Sequence, residues 1–404
     1  MKALQELLAA RTPKHASGTT HRVSTPEETW RAIAPCLVRI GITRVANVTG
    51  LDHVGIPVWQ AIRPNSRSLS VSQGKGIDHL AAKVSAVMES LEQWCAERPR
   101  CDLRLASFAE LRDAADPETL PLDARAAYTP ATPLLWTRGF DLIGQREMWV
   151  PFELVHTNTI APGATFLRTT NGLASGNSLV EAILHALYEV IERDAHALWK
   201  QRADIAVTRV DVGTMTDPAV LRLVELYEAA RLVPIVWNMT SDIGVATMRV
   251  IAFDADTDPS MNPMPAAYGA GCHLDRVTAL VRGLTEAAQS RLGYIAGSRD
   301  DLDRARNYDA LATKELIDEY AATVNEPTPV AFTDVPTAGA DTIEDDLRLV
   351  LARLTAVGIR HAVAVPLGHE DLPVSVARVV VPGLEGASSA PGYRPGPRAK
   401  AVKP

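Results

Sequence analysis

Six glutamates stand at helical spacing in three separated stretches of apolar, helix-forming sequence. Glu89 and Glu92 lie in Ser85-Ala-Val-Met-Glu-Ser-Leu-Glu-Gln93. Glu181, Glu189 and Glu192 lie between Asn177 and Asp194, and Glu286 lies in Leu284-Thr-Glu-Ala-Ala-Gln-Ser-Arg291. Residues three and four apart share a helix face, so Ser85, Glu89 and Glu92 form one stripe, and Glu181, His185, Glu189 and Glu192 another. An unpaired carboxylate is costly to bury among apolar neighbours. Its usual partners are cations, and a hard divalent ion such as Mg2+ suits a set of carboxylate oxygens. A solvated helix face would give the same stripes. Here, however, both segments follow glycine-containing turns that end strands, and the repetition argues for a built site. His185 reads as a structural partner of Glu181 or Glu189 rather than an acid or base.

Gln73-Gly-Lys-Gly76 offers close backbone approach and one ammonium where a helix begins, a candidate anion seat. It is not a P-loop, and no GxGxxG follows a strand and opens a helix. Phosphates held here would be bridged through metal to the carboxylates, with Lys75, Arg193 and Arg291 as direct cationic contacts. Asn177 is either the N-cap of the second glutamate helix or a nucleotide contact, and Gln289 shares a face with Glu286. The rival di-iron class needs two Glu-x-x-His motifs on bundle helices. The chain has Glu153-Leu-Val-His156 alone, flanked by proline. Cys36, Cys95, Cys101 and Cys272 form no CxxC, so a zinc site is not expected, and scattered thiols suit a reducing compartment. Cys95, beside Trp94, is the thiol nearest a glutamate stripe.

These side chains need a scaffold, and 404 residues can build one large core or a few packed subdomains. A chain 47% hydrophobic and 22% charged is ordinary globular material. Its net charge of −7 argues against nucleic acid as the main partner. Met1 to His15 has no apolar signal region, and no stretch approaches membrane-span length, so a cytoplasmic location is expected. Thr25-Pro-Glu-Glu28 opens a helix to about Leu37 with a capping box. Strands are expected over Arg44 to Val58 (broken at Thr49 to Asp52), Ser68 to Ser72, Leu134 to Val150 (turning at Gly144), Thr165 to Thr170, Val233 to Asn238, Ala246 to Phe253, Ala266 to Gly271, His361 to Pro366 and Val374 to Pro382. Helices are expected over Ile77 to Glu97, within Leu103 to Tyr128, from Asn177 to Lys200, and over Val220 to Arg231, Asp275 to Ile295 and Ile343 to Val357. Asn325 to Asp341 should cross the surface, and the proline-rich residues after Gly383 should form an extended tail. Without a regular βαβ period, the mixture predicts an α+β fold, helices packed on largely antiparallel sheets.

Taken in order, the glutamate segments resemble the YcaO family. Gly41 to Asp52, Gly55-Ile-Pro57, Ser72-Gln-Gly-Lys-Gly76 and Ser85-x3-Glu89-x2-Glu92 are similar to its N-terminal half. Asn171-Gly-Leu-Ala-Ser-Gly-Asn177 with Glu181, Glu189 and Glu192-Arg-Asp194 resembles its central helix. Leu284 to Arg291, followed by Gly297 to Asp301, resembles its third ATP segment. Pro382-Gly-Leu-Glu-Gly386 with Pro391 to Arg398 is similar to members that work with TfuA proteins. The resemblance implies an ATP- and Mg2+-dependent enzyme of 1–385 with a tail of 386–404. Such an enzyme phosphorylates a peptide amide oxygen, and a nucleophile then attacks the carbon. Sulfur attack with a TfuA-like partner gives a thioamide. A Cys, Ser or Thr side chain of a precursor peptide gives an azoline, and a non-catalytic nucleotide-binding scaffold is a third reading. Carried over by motif, Glu89, Glu92, Glu189, Glu192 and Glu286 would face metal. Lys75, Ser85, Asn177, Glu181, Gln289 and Arg291 would contact nucleotide, and the family also implies a homodimer. The first motif usually ends Glu-Arg. Here it ends Glu92-Gln93, which leaves a cation to come from elsewhere, with Arg98 the candidate.

Overall fold

The computed structural model describes residues 10–17, 20–158, 165–254, 264, 266–299, 310–324, 326 and 330–402. Asp300, Asp301 and Asn325, singled out within sequence runs above, lie outside them. A short hairpin, β1 (His15–Ser17) and β2 (Thr20–Arg22), precedes helix α1 (Pro26–Ile33), which carries the capping box between Thr25 and Glu28. An antiparallel meander follows: β3 (Arg44–Asn47), β4 (Val58–Ile62) and β5 (Val71–Lys75), leading into α2 (His79–Ala96). Next come β6 (Arg104–Ala106), the hairpin β7 (Leu134–Asp141) and β8 (Arg146–Pro151), then β9 (Leu173–Gly176) and α3 (Leu179–Trp199). After β10 (Val210–Asp211), α4 (Pro218–Ala229) precedes β11 (Leu232–Asn238), β12 (Ala246–Asp254), β13 (Ala267–His273) and α5 (Arg276–Ala296). The remainder is α6 (Ala310–Val324), β14 (Val330–Ala331), α7 (Ile343–Ala356), β15 (Val363–Pro366), β16 (Ser375–Val380) and α8 (Pro397–Ala401).

The strands form one six-stranded sheet, ordered β6-β7-β15-β16-β9 with β8 beside β7, two three-stranded sheets and two small pairs. Every pairing is antiparallel except β10 with β14. This is the α+β arrangement expected. Apolar residues of α2 meet one face of the six-stranded sheet around Trp136, Val363 and Val376. The other face, with Ala364, Ala377 and Val379, packs on α3 and α7. A third core joins α4 and α5 to β11 and β12. None of the described helices is long and apolar enough to cross a membrane.

Three strand-to-helix units position the glutamates: β5–α2, β9–α3 and β13–α5. Each helix starts from a side chain that caps its first turn: Asp78, Ser178 and Asp275. Each then folds back so closely on its strand that only glycine fits at the crossing. A Cβ on Gly74 would lie 2.0 Å from the Ala86 nitrogen, and one on Gly271 would lie 2.1 Å from the Ala279 carbonyl oxygen. Those distances are far inside van der Waals contact.

That packing corrects the expected boundaries. Glycines read as turn signals belong to strands, so β5 covers Val71–Lys75 rather than Ser68 to Ser72, and β9 covers Leu173–Gly176 rather than Thr165 to Thr170. Lys75 therefore ends a strand, and α2 begins after Asp78, so the proposed anion seat is not a helix N-terminus. No helix forms in 103–128. Pro117 and Pro121 interrupt it, leaving β6 and two single turns, Phe108–Glu110 and Pro117–Thr119. The prolines of the C-terminal segment do limit regular structure, but the segment is docked rather than extended. Arg398 forms a two-pronged ion pair with buried Asp194 of α3, at 2.9 Å on both arms, and reaches Asp242 at 2.6 Å. The Glu385 backbone N–H donates to the same Asp194.

Candidate functional site

The three glutamate helices turn their polar faces to one cleft of about 670 Å³, within the usual range of small-molecule sites. Glu89 and Glu92 of α2, Glu181, Glu189 and Glu192 of α3, and Glu286 of α5 all line it. So do Lys75, Ser85, Asn177, Arg193 and Gln289. Arg291 does not. Five positions beyond Glu286 on a helix is a different face, and its side chain is buried in an ion pair with Asp52, Nε to Oδ2 at 2.6 Å. Arg98 is also off the cleft, paired with Glu97 at 2.9 Å. The lining instead includes Arg22, Arg282 and Arg299, together with Ser175; Arg299 and Ser175 lie within quoted motif runs, but the sequence reading gave none of the four a role. Arg282 had a signal, since it stands four residues before Glu286 on an apolar helix. Arg22 and Ser175 reach the cleft from strands distant in sequence, for which spacing gives no cue.

The acidic array is held in place by its neighbours. Ser175 donates to Glu92 Oε1 from both its backbone nitrogen (2.8 Å) and its hydroxyl (2.6 Å), tying α2 to β9. Lys75 at the end of β5 bonds Glu286 of α5. Arg193 contacts Glu192 at 3.0 Å and lies 4.0 Å from Glu189. Glu181 is fully buried and accepts from Arg22 (3.0 Å), the Val23 N–H (2.9 Å) and the Asn177 amide (3.3 Å). It thereby pins the N-terminal hairpin to α3. Asn177 is not the N-cap; Ser178 is, and Asn177 Oδ1 accepts from Thr29 at 2.9 Å. Gln289 donates to the Gln73 carbonyl at 2.7 Å. His185 makes no hydrogen bond to Glu181 or Glu189. It packs edge-on to Tyr188, and burial, with Arg22 and Arg282 nearby, holds it well below the usual imidazole range. Cys95 is a core thiol, pushed up to about 12 by burial.

Electrostatically the cleft is short of positive charge. Burial pushes Glu89 and Glu189 up to about 7 and Glu92 up to about 8, each reinforced by neighbouring carboxylates. Burial also raises Glu192. Glu286 goes the other way, because Lys75, Arg193 and Arg282 outweigh its burial. Among the described residues no three His, Cys, Asp or Glu side chains converge tightly enough to chelate an ion alone. The carboxylates line the walls, leaving space for an anionic ligand between them. Hard oxygen donors that resist ionisation when alone, with Lys75, Arg22, Arg193 and Arg282 around them, fit a divalent cation carried on a polyphosphate.

Fold and cleft together define an α+β protein with one acidic, cation-rimmed cavity built from three strand–helix units. The chain belongs to the YcaO family, whose model, described as YcaO cyclodehydratase, ATP- and Mg2+-binding, matches residues 73–385. ATP and Mg2+ are thus the ligands of its family. An uncharacterized protein in the tfuA 3′ region of Rhizobium leguminosarum bv. trifolii is 37% identical over 396 residues, covering 94% of this chain and 93% of that one. YcaO from Methanopyrus kandleri, bound with AMPPCP and Mg2+, superposes with a TM-score of 0.76 at 22% identity, covering 95% and 98% of the two chains. A heterocyclase in complex with substrate and cofactor gives a TM-score of 0.78 at 22% identity. The match covers 95% of this chain but 55% of that heterocyclase, so this chain spans about half its length. The two structural likenesses establish the fold.

Proposed function

We propose that this protein activates a peptide backbone amide by ATP-dependent O-phosphorylation and that a sulfur nucleophile then displaces phosphate, giving a thioamide, with a TfuA-like protein as partner. The observation that carries the reading is the convergence of Glu89, Glu92, Glu189, Glu192 and Glu286 from three helices on one cleft rimmed by cations. These five would hold Mg2+, which supplies charge neutralisation on the triphosphate. Ser85, Asn177, Glu181 and Gln289 would position the nucleotide. Lys75, Arg193 and Arg282 would balance charge developing on the transferred phosphoryl group, since phosphoryl transfer asks for positioning and electrostatics more than covalent help. A walled cleft keeps water from the activated amide. The tfuA-region relative supports the sulfur reading and the partner.

The heterocyclase likeness favours a second reading, cyclodehydration by a Cys, Ser or Thr side chain of the peptide. Product mass separates the two: sulfur for oxygen raises it, whereas ring closure removes one water. The underlying site is tested by calorimetric titration of ATP with and without Mg2+, in wild type and Glu189→Gln. Binding that needs Mg2+ and is lost in the variant is expected. Modification that survives Glu189→Gln in the system reconstituted with partner and peptide would mean that the chain serves as a nucleotide-binding scaffold instead.

A further inference from the structure

The cleft is ionic where the glutamates converge and neutral at one end. On α2 the lining residues Ser85, Met88, Glu89, Glu92 and Gln93 form one stripe of a single helix face. Its last member, Gln93, stands about 12 Å along the axis from Ser85. β9 runs antiparallel to this stretch. Asn177, just beyond β9, accepts from Thr29 of α1 at 2.9 Å, and the adjacent Trp30 ring carries Lys83 Nζ 3.6 Å from its centroid. Asn177 therefore lies beside the first half of α2, whereas Ser175 meets Glu92 further along. Past that tie the lining is Gln93, Leu69, Thr170 and Leu173, none of them ionisable, and Met88 shares a core with Leu173. The Ser68 hydroxyl donates to Gln93 Oε1 at 3.2 Å, so the Gln93 amide keeps its N–H2 group as a donor. Arg63 and Glu97, behind Gln93, pair with each other and stay out of the lining.

We infer that this neutral end seats the substrate peptide, with an apolar side chain next to the amide that reacts, an assignment that rests on the ATP reading above. Phosphoryl transfer puts the attacking and leaving oxygens roughly in line through phosphorus. With the nucleotide on Ser85, Asn177 and Glu181 and its phosphates among the glutamates, the amide oxygen has to come from beyond Glu92. The new O–P bond forms on that side, and ADP leaves on the other with the electron pair of the broken P–O bond. A neutral backbone gains nothing from ionic walls, but its N–H and C=O groups need partners once they leave water. Gln93 and Thr170 supply them without charge, and Gln93 donates to a peptide carbonyl beside the reacting amide. Leu69, Met88 and Leu173 give the apolar contact that such sites use. An aspartate side chain there would be desolvated without a counter-ion.

Met88 supplies the readout. Its isotope-labelled methyl resonance, assigned through Met88→Leu, is followed in the full chain with excess Mg·AMPPCP while a probe peptide is added. The probes are acetyl-Ala-Leu-Gly-Ala-amide and acetyl-Ala-Asp-Gly-Ala-amide. The leucine peptide should shift the resonance saturably, and the aspartate peptide should bind about tenfold more weakly, because its charge is left unpaired against an apolar wall. Thr170→Glu changes an exposed residue, so the fold is spared, and should weaken the leucine peptide about tenfold. Gln93→Leu should weaken both peptides, and neither variant should change the affinity for Mg·AMPPCP more than a few-fold. Equal binding of the two peptides, or no shift with either, overturns the seat. So does a loss of Mg·AMPPCP affinity in these variants that matches the loss of peptide binding, since the nucleotide would then occupy this end. Titration of Mg·AMPPCP alone keeps the two readings apart. Nucleotide binding without a peptide shift sinks only the seat, whereas a peptide shift without nucleotide binding sinks the ATP reading.

Discussion

Raising the pH from 7 to 8.5 without divalent ions should destabilise the protein, and Mg2+ should remove the effect. Glu89 and Glu189 titrate at about 7 and Glu92 at about 8 in the folded protein, against 4.5 for an ordinary glutamate. A carboxyl whose folded pKa is raised binds more protons in the native state, so stability falls as pH climbs through that range. Treating the three groups as independent, the change from pH 7 to 8.5 costs about 2 kcal/mol. For 404 residues this is roughly 2 °C in Tm, at about 2.1 cal/mol/K of unfolding entropy per residue. The window avoids His185, His196 and His273, all held low by burial, which weaken the fold only as pH drops through the usual imidazole range. Mg2+ binds the deprotonated carboxylates, so its stabilisation should be larger at pH 8.5 than at pH 7. Thermal unfolding at both pH values, in EDTA and in excess Mg2+, reads all four states. A Tm in EDTA that is flat or rises between pH 7 and 8.5, or a Mg2+ effect independent of pH, would refute the crowding of buried carboxylates in the empty cleft.

Gly74→Ala should destabilise the protein by upwards of about 3 kcal/mol in urea unfolding, because the new Cβ meets helix backbone that cannot move alone; it should also weaken Mg·ATP binding. Arg63→Leu takes the two-pronged partner from Glu97, whose side chain is fully buried, leaving it Arg98 and the Ser66 and Ser68 hydrogen bonds, and should cost about 1.5–3 kcal/mol. Hydrogen bonds from Arg63 and Ser68 outweigh burial and hold Glu97 at about 2, so its contribution is present above pH 4.5 and lost toward pH 2. The wild type should therefore shed about 3 kcal/mol across that window, and a variant showing an equal loss would exonerate Glu97. Arg398→Ala leaves Asp194 buried without its cation and should cost about 3–5 kcal/mol, measured by denaturant titration. A change under 1 kcal/mol would mean that the docked C-terminal segment contributes little.

The cleft was largely legible because α2, α3 and α5 are long, regular and apolar on three sides, so a glutamate stripe has one direction left to face. The fold class followed from the same alternation of strands and helices. What failed were inferences that needed knowledge of the partner element. Gly74 and Gly176 look like turn residues in one dimension, yet they are strand residues whose missing side chains admit a helix. Arg291 was chosen for its charge and proximity to Gln289, although its helical angle turns it away to Asp52. Arg22 and Ser175 come from strands whose approach is set only by tertiary packing. The C-terminal segment has the composition of a loose tail, but one buried aspartate, Asp194, is enough to dock it.

Those glycine crossings also make the cleft mechanically stiff. Each glutamate helix sits on its strand with no side chain between the two backbones, so it cannot slide or tilt without breaking a strand ladder. The carboxylates should move as one body with the sheets, like teeth cut into a frame. Compliance is left to the rim, above all the hairpin carrying Arg22, which is fastened to the frame through Glu181. Variation in what the cleft admits is therefore better sought in rim residues than in the floor, where even one added methyl group would have to displace backbone.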